Sequence, residues 1–137
     1  MMGQSMAVYG IVQGIPEHEK HILLIQDKNK PEPRMWKLPG GKNESGEWPA
    51  LVVVREISEE IGIVIHQPLD TDIIFKKAET SHLFAVYAVR HYQGNVKAGA
   101  EIERAEFFTA DQIKLMIRNN QILPRHAMAL IKHLGII

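Results

Sequence analysis

Residues 49–61, PALVVVREISEEI, constrain the fold of this chain more than any other stretch. Pro49 suits a first helical position, and Gly62 stands where a left-handed cap would end the helix. Placed at 100° per residue, Ala50, Val53, Val54, Ile57 and Ile61 fall in one arc, the face expected to bury. Glu56, Glu59 and Glu60 fall together on an adjoining arc. The β-branched run Val52-Val53-Val54 costs a few tenths of a kcal/mol per residue in helix propensity. Trp48 is a poor N-cap. This helix therefore needs a packed partner, and the sequence must supply a layer to cover it.

The acids need a separate reason. Glu44 and Glu47 stand just upstream, and Arg55, paired i to i+4 with Glu59, neutralises only part of the cluster. An exposed acidic face is the bland reading, but an ordinary surface would alternate signs. Here the acidic arc abuts the apolar one at Val53 and Glu60, which places the carboxylates at a cleft edge. Clustered carboxylates beside the turn Pro39-Gly40-Gly41 suit Mg²⁺ or Mn²⁺, which take hard oxygen ligands and accept a backbone carbonyl among them.

The rest of the chain sets bounds. Its 137 residues suit one domain, 1–137. Lys plus Arg equals Asp plus Glu, 16 against 16, so no global field draws it to duplex nucleic acid or an anionic membrane. The absence of cysteine excludes thiolate catalysis, thiolate zinc sites and disulfides. The start MMGQSMAVYGIV does not read as a signal peptide, Met2 argues against myristoylation, and no window has the apolar length of a membrane span. These features predict a soluble cytoplasmic protein. The seven His show no metal-ligand spacing such as HExxH.

Strand signals occur at 6–14 and 20–27, which suggest an antiparallel pair, then in a short piece at 35–38 leading to the Gly turn. Further signals occupy 63–69, 72–79, 82–92 (the strongest) and 105–109. Thr109 is a plausible N-cap for a helix from 110, and Pro124 suits the first turn of a last one. The order predicts a mixed α/β domain with a mostly antiparallel sheet and some parallel pairing.

Gly41, five residues, Glu47, seven residues, then Arg55-Glu56-Ile57-Ser58-Glu59-Glu60-Ile61-Gly62-Ile63 resembles the full Nudix box, with all nine defining positions matched. Trp36-Lys37-Leu38-Pro39-Gly40 is similar to the family's lead-in. The resemblance implies an α/β/α sandwich and a metal-dependent hydrolase of a nucleoside diphosphate linked to another moiety. It implies that Glu56, Glu59 and Glu60 coordinate the metal, with a backbone carbonyl of Gly40 or Gly41. Glu56 is also a candidate general base, and Glu47 with Arg55 orients the loop and ligands. Gly40, Gly41 and Lys42 are the candidate substrate-binding residues. A further acid outside the box is expected among Glu101, Glu103 and Glu106, with Glu106, just before Phe107-Phe108, the first choice as an extra metal ligand.

For substrate, the lead-in is most like MutT-like members, which take nucleoside triphosphates, including oxidised ones, to monophosphate and pyrophosphate. Markers of other branches are missing: Glu79 stands where the ADP-ribose branch tends to carry Pro, and Thr80 where the diadenosine polyphosphate branch tends to carry Tyr. Trp36, Phe84 and Tyr87 are candidates to stack on a base, though aromatics in such runs are more often core. Lys37, Lys42, Lys76, Lys77 and His82 are candidate phosphate contacts, each with a solvated surface as the plainer reading. An RNA 5′-end pyrophosphohydrolase is an alternative, which would need a basic groove from Lys76, Lys77, Arg90 and Lys97. A catalytically silent nucleotide-binding module is another, disfavoured because every box acid is present. Monomer and homodimer both remain open.

Overall fold

A computed structural model describes residues 5–14 and 21–136, and its first two strands are apolar on both faces. Strand β1 (Ser5–Val12) sends Met6, Val8 and Val12 to one core and Ala7 and Ile11 to another. Strand β2 (Ile22–Asp27) divides in the same way, Leu23 and Ile25 against Ile22 and Leu24. Side chains alternate across a strand, so such runs need cover on both sides. One cover is α1 (Pro49–Ile61), whose Val53, Ile57 and Ile61 join the first core. The other is α2 (Ala110–Arg118) with α3 (Pro124–Leu134), whose Ile113, Met116, Ala127 and Leu130 join the second. The result is an α/β/α sandwich.

The main sheet has the order β3-β1-β6-β5, with β3 at Gly40–Lys42, β5 at Ile73–Glu79 and β6 at His82–Val89. β1 runs parallel to β6 and antiparallel to β3, and β5 runs antiparallel to β6. β2 pairs antiparallel with β8 (Ile102–Phe108), and the short β4 (Val64–Ile65) with β7 (Tyr92–Gln93). One parallel pair among antiparallel ones matches the mixed sheet expected.

Three local expectations are corrected. Among the described residues, the pairing of 6–14 with 20–27 shrinks to a single bridge, Gln13 with Ile22, because β1 takes both of its ladders from β3 and β6. The turn proposed between them, at 15–19, lies outside the described residues. The strand signal over 63–69 yields only Val64–Ile65. On α1, Val54 is half-buried while Val52 is wholly buried, so the helix buries a wider arc than expected.

Local signals fix the ends of α1: Pro49 opens it, Trp48 gives no side-chain cap, and Gly62, at φ 70°, closes it. The helix sits close to β1 at Gly10, where a Cβ would lie 2.8 Å from Ile57 Cδ1. No helix among the described residues is long and apolar enough to cross a membrane.

Candidate active site

On the α1 wheel, Glu56 and Glu60 fall between Val52 and Val53, two wholly buried residues, so both acids lean toward the sheet rather than into solvent. What they meet there is the glycine turn. The Gly40 N–H donates to Glu60 Oε1 at 2.8 Å. Gly41 passes so close to Glu56 that a Cβ would stand 2.7 Å from its Oε2. Gly40 itself has φ 139° and lies against β1, where a Cβ would come within 2.3 Å of the Val8 carbonyl. Both positions need the missing side chain.

Arg55 holds the acids in place. Its Nε and Nη2 donate to the two oxygens of Glu47, each at 2.8 Å, a bidentate pair. Nη1 donates to Glu56 Oε1 at 3.1 Å and reaches Glu59 at 3.4 Å. Nη2 also donates to the Lys42 carbonyl, and Nε lies 3.2 Å from the exposed Glu44 carboxylate. Glu47 in turn accepts from the Glu44 N–H at 2.7 Å, which ties loop 43–47 to the helix. The Arg55 hydrogen bond, with help from the Glu44 N–H, lowers the Glu47 carboxyl to about 2. Arg55 is pushed above its usual value, chiefly by that same bond to Glu47.

Glu56, Glu59, Glu60, Asp27 and Glu101 line one cleft of about 250 Å³. Burial pushes Glu60 up to about 7, against the lowering effects of the Gly40 N–H and of Lys37, while the Glu56 and Asp27 charges raise it further. Burial keeps a lone carboxylate out of its charged form, and a cation restores it. Among the described residues no three His, Asp or Glu side chains converge tightly enough to grip an ion as placed. Glu56 and Glu60 are instead each turned to a protein donor, Arg55 and the Gly40 N–H. The donor set still fits a hard divalent cation: oxygen ligands from one helix turn, beside a backbone that Gly41 brings against Glu56.

Glu101 reaches the cleft because the backbone before it caps α1. The Lys97 N–H donates to the Ile61 carbonyl at 2.9 Å and the Gly99 N–H to the Glu60 carbonyl at 2.8 Å. Gly99 fits against α1 without room for a Cβ, which would lie 2.8 Å from the Glu59 carbonyl. The other two candidate acids stand elsewhere. Glu106 is exposed on β8 opposite Leu24, outside the cleft lining, and Glu103 lies 3.9 Å from Arg34. Asp27, at the end of β2, carried no sequence signal of its own.

Tyr9 lines a second cavity, of about 460 Å³. Burial, then the charges of Glu60 and Glu56, push its hydroxyl up to about 12. Lys37 Nζ lies 5.1 Å from its ring centre. The cavity is lined by Tyr9, Phe84, Lys42, His82, Arg125 and His126 among others. Tyr9 and Phe84 lie 5.3 Å apart between ring centres, and the Arg125 guanidinium lies 5.8 Å from the Phe84 ring centre. Of the three aromatics singled out from sequence, Phe84 lines this cavity. Tyr87 is wholly buried, and Trp36 packs edge-on against Phe108 at 4.9 Å. Of the candidate phosphate contacts, Lys42 and His82 line it, while Lys76 and Lys77 are exposed on β5. Arg90 pairs with Asp72 at 3.6 Å. Tyr9, Arg125 and His126 had no motif to mark them.

The NUDIX domain family model matches residues 6–129. The chain is 34% identical over 116 residues to the ADP-ribose pyrophosphatase of Methanocaldococcus jannaschii, covering 82% of this chain and 69% of that one. In structure it is similar to the Escherichia coli ORF135 protein, with TM-score 0.76, 19% identity, and 98% and 91% of the two chains covered. It is also similar to a MutT protein from Methanosarcina mazei, with TM-score 0.72, 23% identity, and 95% and 91% covered.

Proposed function

The chain belongs to the Nudix hydrolase family, and we propose that it hydrolyses a nucleoside triphosphate to the monophosphate and pyrophosphate with Mg²⁺ or Mn²⁺. The observation that carries this reading is a pair of unlike cavities linked by Tyr9, which lines one and feels the charges of Glu60 and Glu56 in the other. One is acidic, lined by Glu56, Glu59, Glu60 and Glu101; the other is aromatic and cationic, lined by Tyr9, Phe84, Lys42 and Arg125. A nucleoside triphosphate has the matching halves, a flat base and an anionic chain that needs cations beside it.

Each residue then has a physical task. Glu56, Glu59 and Glu60 would hold the cation, with the Gly40 or Gly41 carbonyl. Bound there, it would neutralise phosphate charge and acidify a water. Arg55 keeps Glu56 and Glu59 oriented, and Glu47 keeps Arg55 oriented. The water oxygen bonds to phosphorus, Glu56 takes its proton at a carboxylate oxygen, and the anhydride P–O bond breaks to release pyrophosphate. Glu101 is the additional acid this reading favours, since it shares the cleft. Lys42 and Arg125 would receive the phosphate charge, and Tyr9 and Phe84 the face of the base.

A second reading is ADP-ribose as substrate, favoured by the similarity to the ADP-ribose pyrophosphatase of Methanocaldococcus jannaschii. Product analysis separates the two. The purified protein is incubated with nucleoside triphosphates, ADP-ribose and 5′-triphosphorylated RNA, each with Mg²⁺ and with EDTA. Monophosphate plus pyrophosphate, lost in EDTA, is the expected result. AMP plus ribose 5-phosphate would move the assignment to the second reading, and turnover in EDTA would end the metal assignment.

A further inference from the structure

His126 is a buried polar residue in the wall of the aromatic cavity, 5% exposed, and its ring is held on three sides. Tyr9 meets it edge-on at 4.5 Å between ring centres, and Phe84 at 5.5 Å. On its third side, Nδ1 accepts a hydrogen bond from the Leu38 N–H at 3.0 Å. A backbone N–H can only donate, so Nδ1 must carry a lone pair and the neutral ring must carry its proton on Nε2. Burial, with the Lys37 charge second, lowers the His126 pKa to about 3, so the ring stays neutral through the physiological range. Nε2 has no hydrogen-bond partner among the described residues.

The wall around it is rich in donors. Lys42, Arg125 and His126 line the cavity, and among the described residues no carboxylate or carboxamide side chain does. A ligand group with lone pairs is matched there; an amino group finds few side-chain acceptors. Burying a donor against an amino group leaves both unpaired, which is the strongest form of rejection a site can build.

We propose that His126 is a specificity-determining residue: its Nε2–H, fixed as a donor by the Leu38 contact, selects bases that carry an oxo group over bases that carry an amino group at the same position. The inference rests on the reading that a base occupies the Tyr9–Phe84 cavity. It predicts discrimination between inosine and adenosine nucleotides, which differ at C6 by oxo against amino.

The test compares kcat/KM for ITP and ATP with Mg²⁺. The wild-type protein is expected to favour ITP by about tenfold or more. His126→Leu is expected to bring the ratio to about one. His126→Gln, whose carboxamide can accept from Leu38 and still donate, is expected to keep a preference. A wild-type ratio near one, or a ratio unchanged in His126→Leu, would overturn the proposal. Should the leucine variant not fold, ¹⁵N-histidine NMR of the wild-type protein decides. His126 Nε2 should show the protonated-nitrogen shift and move on adding IMP, but not on adding purine riboside monophosphate, which has no C6 substituent. A proton on Nδ1, or indifference to IMP, overturns it. Hydrolysis without oxo preference counts against this proposal alone. An intact IMP response in a protein that cleaves no nucleotide supports it, and counts against the hydrolytic reading alone.

Discussion

Gly41 and Glu56 touch across the turn and the helix: a Cβ at residue 41 would lie 2.7 Å from Oε2 and 2.7 Å from Cδ of the carboxylate. Gly41→Ala must therefore push Glu56 aside, while the backbone there, unlike that of Gly40, asks for no left-handed φ. The expected outcome is a loss of activity of about 10-fold or more with a small change in thermal midpoint. Gly40→Ala, at φ 139° and facing the Val8 carbonyl, should instead be strongly destabilising. Parallel melting and activity curves for the two variants check the contrast.

Glu56→Gln keeps size but removes charge. It should lower kcat by about 10²–10⁴-fold at saturating Mg²⁺ while leaving the fold intact. Ile57→Ala, next in sequence but wholly buried, should do the reverse and cost about 2–5 kcal/mol of stability. Glu44→Gln should be nearly silent, since its side chain is 71% exposed in its contact with Arg55. Steady-state rates and urea midpoints on the three variants read both effects.

Arg55→Lys tests the scaffold. Lysine cannot grip both oxygens of Glu47 and also reach Glu56, so the ligands should lose orientation while keeping their charges. The Mg²⁺ concentration for half-maximal activity should rise by about 10-fold or more. A titration of rate against Mg²⁺ in wild type and variant measures it.

His126 should leave a signature in acid. Its folded value, about 3, lies below the ordinary 6.5, so between these limits the unfolded chain binds a proton that the folded one refuses. Stability therefore falls as pH drops from 6.5 toward 3, by at most about 1.4 kcal/mol per pH unit for this one group. His126→Gln should flatten that part of the curve. Urea midpoints at pH 4, 5, 6 and 7 for both proteins, taken as a difference, remove the contribution of the shared carboxylates.

The parts of the fold that were legible had local causes. Pro49 and Gly62 mark both ends of α1 within the sequence itself, and the observed helix starts and stops there. Pairing partners have no such mark. β1 looked like half of a hairpin, yet it is apolar on both faces, and an interior strand takes partners from afar. The Glu56, Glu59 and Glu60 cluster was visible because helical spacing gathers it. Glu101 and Asp27 arrive from a loop and a strand end, and the contacts of the Lys97 and Gly99 N–H groups with the Ile61 and Glu60 carbonyls bring Glu101 over the helix. Tyr9 and His126 sit in runs that read as plain core and plain helix, and they meet because β1 and α3 contribute to the same core.

The parallel ladder between β1 and β6 has a consequence for how the protein is made. Ser5 faces His82 and Val12 faces Val89, so the second edge of the strand that carries Tyr9 waits for a segment 77 residues further along. At a synthesis rate of about 5–20 residues per second, that wait lasts about 4–15 s. During it, the nascent chain carries a sticky strand with one open side, although the glycine turn and its helix have already emerged. The glycine turn is thus translated early but cannot be braced until β6 arrives, and yield should respond to temperature and chaperone supply more than to any change at the acids.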